Sequence, residues 1–324
     1  MKKLFLSLIV LCSATGTWAQ VFQSGDLLYR VTSSVEPYSV EVVPRNYQNL
    51  TSVNIPDSVV YGDMVYFVTA IGVDCFTECR NLNSVTIGNN VKTIEQRAFA
   101  NCTNLETLTM GNSVETIGES AFYQTNLTSI TIPNSVKTIG SAAFVDCQSL
   151  TSVGIGNGVK IIGEYAFYSC YNLISIVIGN GIEIIGGSAF MECSNLTSVT
   201  IGSNIIEIAE GVFESTAIYN DPTNWENGAL YIDSCLIALD QYFLGELIIR
   251  EGTQLIANQA CYDCPYLTAV TIPNSVRSLG KRAFLDCSAL TSVTIGNNIK
   301  SLRDWTFTNC SSLTSCTIPN SVTC

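Results

Sequence analysis

The chain contains fourteen cysteines and no histidine, and these two facts bound the chemistry open to it. Without histidine there is no Ser-His-Asp or Cys-His nucleophile pair, and the usual zinc ligand sets are missing. Cys261-Tyr262-Asp263-Cys264 is formally a C-x-x-C, the spacing with which a redox fold exchanges disulfides. Cys75 and Cys79 make a second close pair. Carboxylates such as Glu164 with Glu183, or Asp221 with Glu226, could serve acid–base catalysis or hold Ca²⁺. No Gly-x-Gly-x-x-Gly or phosphate-cradling loop precedes a helix.

The cysteines are placed by a rule that has nothing to do with redox chemistry. Cys79, Cys102, Cys147, Cys170, Cys193, Cys264, Cys287 and Cys310 each stand three residues before a leucine. Phe76, Phe99, Phe122, Phe144, Phe167, Phe190 and Phe213 follow one another at 23, 23, 22, 23, 23 and 23 residues, and Phe284 and Phe307 resume the series. Cys261 fills the phenylalanine place 23 residues before Phe284, so the C-x-x-C reads as structural. A fixed period of this length means stacked units, each burying its apolar face on its neighbours. Coils stacked about 4.8 Å apart fall within disulfide range, so pairs such as Cys147 with Cys170 are not excluded. Buried free thiols are the favoured expectation, because cysteine is among the most buried residues.

The stretch Leu127 to Leu150, LTSITIPNSVKTIGSAAFVDCQSL, shows what must position these residues. Ile130 and Ile132 point to one side of a short strand, and Ser129 and Thr131 to the other. Copies of that outer face carry Ser152, Ser175, Ser198 and Thr200, which predicts a neutral, hydroxyl-rich sheet surface. A turn with Asn134 in register follows, its side chain suited to bonding nearby backbone. Val136 and Ile139 make a second apolar pair, Gly140 a sharp bend, and the Ala143-Phe144 step fits one short helical turn. The phenylalanines should stack as a buried spine. Lys92, Glu115, Lys137, Lys160, Glu183, Arg277 and Lys300 share one outward position, a ladder of weak surface pairs.

Residues 1–19 have two lysines, an apolar run and small residues before a predicted cut after Ala19, the pattern of a secretory leader. Lipid attachment at Cys12 is disfavoured by the bulky Leu11 before it. With Lys2 and Lys3 removed from the 15 basic residues, 13 remain against 27 acidic ones, a net of −14. That charge argues against nucleic acid or anionic lipid as a partner. No later window offers the about 20 apolar residues that span a bilayer. Residues 20–70 break the period with alternating strands and predict a β-hairpin cap running into the first coil; regular coils fill 71–213 and 247–324. Between them, 214–246 is a degenerate coil or an insert carrying Tyr219, Trp225, Tyr231, Tyr242 and Phe243, and inserts in repeat arrays often lie on the binding face. The last coil stops at Cys324, which predicts either a truncated product or an edge covered by a second copy.

The order Leu-x-x-Val-x-Ile-Pro-x-Ser-Val-x-x-Ile-Gly-x-x-Ala-Phe-x-x-Cys resembles the BspA-type leucine-rich repeat, from about Leu50 to the end. The resemblance implies an α/β, right-handed leucine-rich-repeat solenoid of about 23-residue coils. It also implies secreted or surface proteins linked to adhesion to other proteins or cells. A non-enzymatic binder of extracellular or surface proteins, or of glycans, is therefore expected, with no cofactor. Its candidate contacts are Ser129, Thr131, Ser152, Ser175, Ser198, Thr200, Tyr219, Trp225 and Tyr231. The structural alternative is an envelope module that self-associates through its C-terminal edge.

Overall fold

The computed structural model describes residues 20–314 and 316–323; the expected leader and its predicted cut lie outside them. The chain winds as a solenoid, and each regular coil adds one strand to each of two parallel rows. The front row includes Ser129–Ile132, Ser152–Ile155, Ser175–Ile178 and Ser198–Ile201, paired in parallel with serine beside serine. In each, the first and third residues are exposed and the second and fourth buried, the two-residue period of a half-buried strand. The second row is built of two-residue strands such as Thr138–Ile139 and Ile161–Ile162.

The back of each coil differs from the expected helical turn. Ala142 and Asp146 both take left-handed backbone, at φ of 56° and 57°, and two such residues recur in almost every coil. Each reverses the chain, so that N–H groups point alternately inward and along the stack. Ala142, Phe144 and Asp146 donate to the carbonyls of Glu164, Ala166 and Tyr168 in the next coil, at 2.8, 2.8 and 3.0 Å. A helix would spend those donors within its own turn and leave nothing to hold the next coil. The only α-helix among the described residues is the four-residue Ala217–Asn220.

Three columns of side chains run through the stack. The phenylalanine spine is fully buried from Phe76 to Phe213, with ring centroids 5.1–5.7 Å apart and planes within 7°. The cysteines among the described residues are free thiols, as the burial argument favoured, and several of those at the repeat position donate to a carbonyl of the preceding coil: Cys170 to Phe144 and Cys193 to Phe167, at 3.2 and 3.1 Å. Thr125 and Thr216 take the same place and bond Phe122 and Phe213. Third, the Asn134 and Asn157 side chains each accept the backbone N–H of the next asparagine, at 2.8 and 3.2 Å, so the column is satisfied coil to coil.

The N-terminal strands pair as hairpins. Val21–Ser24 pairs antiparallel with Leu27–Ser33, which pairs antiparallel with Ser39–Val42. Ser39–Val42 then runs parallel to Met64–Ile71 and hands the ladder to the second row. Tyr47 lies 4.8 Å from Phe76 and closes the spine. The first coil's second-row edge is thus paired and its aromatic face covered, while Ser52–Ile55 pairs only with Ser84–Ile87 and begins the front row.

Two outcomes follow. Phe144→Ala should cost about 3–5 kcal/mol, the usual range for emptying a packed aromatic site. Phe307→Ala, at a half-buried position, should cost clearly less in urea unfolding; equal losses would contradict a continuous spine. Burial also pushes the Cys102 thiol from 9.0 to about 12 and the Tyr29 hydroxyl from 10.0 to about 12. The folded state therefore favours the neutral forms, a stabilisation complete below pH 9 and lost as pH rises toward 12. Melting temperatures that stay flat from pH 8 to 11 would show that these groups ionise without unfolding.

Candidate binding surface

The front row presents its polar residues as predicted. Ser129, Ser152, Ser175 and Ser198 form one exposed line, and Thr131, Gly154, Val177 and Thr200 a second. Behind them Ile130, Val153, Ile176 and Val199 are buried. One feature had been missed. In the coil at 173–178, Ile174 and Val177 stand 53% and 60% exposed where neighbouring coils carry threonine or glycine. An apolar island thus sits inside a hydroxyl face. Its signal in the sequence was two departures from the Ser/Thr column.

The row is also interrupted. Thr107–Thr109 pairs with Ser84–Ile87 on one side but not with Ser129–Ile132 on the other. The break falls at the coil that is one residue short, with five residues from Phe122 to Leu127 against six from Phe144 to Leu150. The contact from Thr128 N–H to the Glu106 carbonyl stretches to 3.5 Å, against 2.9 Å from Thr151 to Thr128 one coil later. The result is a notch of about 590 Å³ bordered by Leu108, Met110, Ser129, Thr131 and Pro133. Leu108 and Met110 are only half-buried, whereas Val85 and Ile87 in the preceding coil are buried.

The second break is the segment from 214 to 246. Ala229–Ile232 and Cys235–Leu239 form an antiparallel hairpin whose second strand runs parallel to Leu255–Ile256. At its turn, the Asp233 carboxylate accepts the Ile201 N–H at 2.7 Å and meets the edge of the front row. The front row restarts at Gly245–Ile248, paired with Leu267–Thr271. Tyr219 and Trp225 are brought together, their rings edge to face at 5.2 Å, with the Trp225 indole N–H donating to the Tyr219 carbonyl at 2.7 Å. Tyr231 is not part of that pair. Its ring lies 4.3 Å under the Arg250 guanidinium, and its hydroxyl accepts the Arg250 N–H.

The arrays before and after this segment do not form one straight stack. Asn258 N–H donates to the Ile208 carbonyl, Ser278 Oγ to the Ile206 carbonyl, and Arg303 Nη1 to Glu207 at 2.6 Å. At about 4.8 Å per coil, Glu207 and Arg303 would lie on the order of 15–20 Å apart in a straight stack. Three successive coils instead close on the last strand of the first array. Glu207 holds this joint, bonding Asn258 and lying 3.5 Å from Lys281.

A model of the BspA type leucine rich repeat region matches residues 45–131, 115–226 and 240–324. The chain belongs to the BspA-type leucine-rich repeat family. Among solved structures, this BspA-type chain is 26% identical to a leucine rich repeat protein of T. pallidum, with a TM-score of 0.52, covering 58% of this chain and 86% of that one. It is 25% identical to a leucine rich cell surface protein of Faecalibacterium prausnitzii, covering 94% and 83%, with a TM-score of 0.45. A Bacteroides ovatus leucine-rich repeat protein is 23% identical over 93% and 89%, with a TM-score of 0.48. No curated protein matches.

The residues first considered for chemistry have other employment in this repeat. Cys261 and Cys264 are buried free thiols, and burial pushes Cys261 well up. Glu183 pairs with Lys160 at 2.8 Å, one rung of the charged ladder. Asp221 caps Pro222–Asn224 by accepting from Thr223, and Glu226 pairs with Arg250 at 3.2 Å. Among the described residues no group of His, Cys, Asp and Glu is placed to hold a metal ion, and no helix is long and apolar enough to cross a membrane.

For Glu207, burial opposes ionisation, but the Asn258 hydrogen bond and the charges of Arg303 and Lys281 outweigh it and hold the carboxyl below 4.5. A depressed carboxyl stabilises above its unfolded value, and the effect is lost as pH falls through the folded one. Thermal stability should therefore drop below pH 4.5, and Glu207→Gln should remove that part of the acid dependence. An unchanged acid profile in Glu207→Gln would mean that the joint does not depend on this carboxylate.

Proposed function

We propose that this chain is a secreted, surface-exposed, non-enzymatic binding protein that engages an extended protein or glycan partner along its front row. Secretion rests on the residue pattern of 1–19. The observation that carries the binding reading is the face itself. Ser152, Ser175, Ser198 and Thr200 stand exposed and in register around the Ile174–Val177 island. Hydroxyls every 4.8 Å supply donors and acceptors without charge, and the island supplies apolar area at the centre, where interface energy concentrates. The notch at Met110 and Ser129 lies on the same row. Tyr219, Trp225 and Tyr231 are part of the proposed contact only where a partner reaches past Ser198 to the 214–246 segment. Self-association is the second reading. A mass that rises with concentration in sedimentation would support it.

The test is a screen of residues 20–324 against arrays of extracellular-matrix proteins and glycans, repeated with Ile174→Glu/Val177→Glu. Both positions are exposed, so the fold should survive, as circular dichroism will check. Burying two unpaired carboxylates in the interface should weaken any hit at least about tenfold, or 1.4 kcal/mol. A hit of unchanged affinity would move the site off the front row.

A further inference from the structure

The joint contains a cleft that the front-row reading does not use. It has a volume of about 440 Å³, within the range of small-ligand sites, and lies between the last coil of the first array and the coil at 255–263. It exists because two rules of the repeat fail together. The stacked phenylalanine series stops at Phe213, and the cleft opens beside that last ring position. The Cys235–Leu239 strand keeps the flanking coils apart on this side.

The lining has one chemical character. Tyr219, Trp225 and Tyr262 are its aromatic lining residues beside the buried Phe213, and Glu214, Asp240 and Asp263 its acidic ones. No lysine or arginine lines it. Among the ion pairs of the described residues, none involves these three carboxylates. Asp240 accepts the Tyr242 N–H and Asp263 the Gln241 amide, which fixes one oxygen of each. Glu214 and Asp240 also act together on Tyr219, raising its hydroxyl pKa in addition to burial. Their fields therefore overlap inside the cleft.

We propose that this cleft receives a cationic side chain, arginine or lysine, presented by a protein partner. Aromatic faces attract a cation through their quadrupoles, and ionised carboxylates nearby strengthen the attraction, most of all where water is partly excluded. A neutral sugar would use the rings and donate hydroxyls to the carboxylates, but it brings no positive charge to compensate the three negative ones. An anion would be repelled by them. The volume admits a guanidinium on its alkyl stem, and Tyr262, 46% exposed, stands at the rim where a partner's backbone would cross. The proposal rests on the reading of the chain as a binding protein, but not on the front row.

The experiment titrates residues 20–324 with Nα-acetyl-arginine methylamide and Nα-acetyl-lysine methylamide, followed by Trp225 indole NMR shifts. The uncharged isostere Nα-acetyl-citrulline methylamide is the control. One cationic probe should bind saturably, with citrulline at least about tenfold weaker. Glu214→Gln/Asp240→Asn should weaken the cationic probe by a similar factor, and Ile174→Glu/Val177→Glu should leave it unchanged. Equal binding of the citrulline probe, unchanged affinity in the double amide variant, or no saturable shift with either cation would overturn the proposal. Because the citrulline comparison is made on the unaltered protein, the test survives a variant that fails to fold. Cleft binding in the charged front-row variant, together with loss of its array hits, would leave both readings standing separately.

Discussion

Every coil of this protein is held by hydrogen bonds it cannot make alone. On the front, strand residues bond the strands of adjacent coils; on the back, left-handed residues such as Ala142 and Asp146 aim their N–H groups at the next coil. This two-sided ladder sets the distance between coils, and the distance sets what each column may contain. Flat rings fit the 5.1–5.7 Å spacing face over face. A thiol can reach the preceding coil's carbonyl, and one amide can accept the following backbone N–H. Phenylalanine, cysteine and asparagine recur because they are the side chains that satisfy a parallel stack in the interior, at its bend and at its turn.

The same constraint explains where surfaces suited to binding arise. A coil in perfect register offers neighbours nothing but a flat continuation of itself. The short coil between Phe122 and Phe144 breaks the front row and opens the notch at Met110. The hairpin of Ala229–Ile232 and Cys235–Leu239, which belongs to no regular coil, borders the joint cleft with Ile237, Ala238 and Leu239. Concavity in this protein is a by-product of lost period, so departures from the repeat mark the candidate sites more sharply than the repeat does.

This is also why the sequence was informative in one direction and silent in another. The coil length, the buried spine, the free thiols and the outward Ser129 and Thr131 were legible, since each follows from a position that repeats and from alternation along a strand. The back of the coil was read as a helical turn because Ala-Phe steps suit one; the first left-handed residue of each pair varies through Arg97, Ser120, Ala142 and Tyr165, and the second, as in Asn101, Asp146, Asp263 and Asp286, is often the Asn or Asp that such backbone favours. Trp225 and Tyr219 did meet, but Tyr231 went to Arg250, because the strand Ala229–Ile232 alternates and places it outside the cleft. Nothing in the sequence tied Glu207 to Arg303, a contact across 96 residues. Pairings between nonadjacent coils depend on the direction of the whole stack, and period alone carries no record of it.

The joint links these parts. Its coils are not bonded as the regular ones are: at Ile208 the carbonyl is met by Asn258 rather than by the residue in register. The Glu207 carboxylate, with Asn258, Lys281 and Arg303 around it, adds to the bonds from Asn258 N–H to Ile208 and from Ser278 Oγ to Ile206 in place of a regular ladder. Charged pairs with side chains 16% and 25% exposed are partly screened and hold less than the backbone ladder they replace. The joint lies between the front-row strands ending at Ile201 and those restarting at Gly245. A partner lying along both would have to be matched to the angle that Glu207 sets, so the geometry of an extended binding face depends on a residue that the partner need never touch.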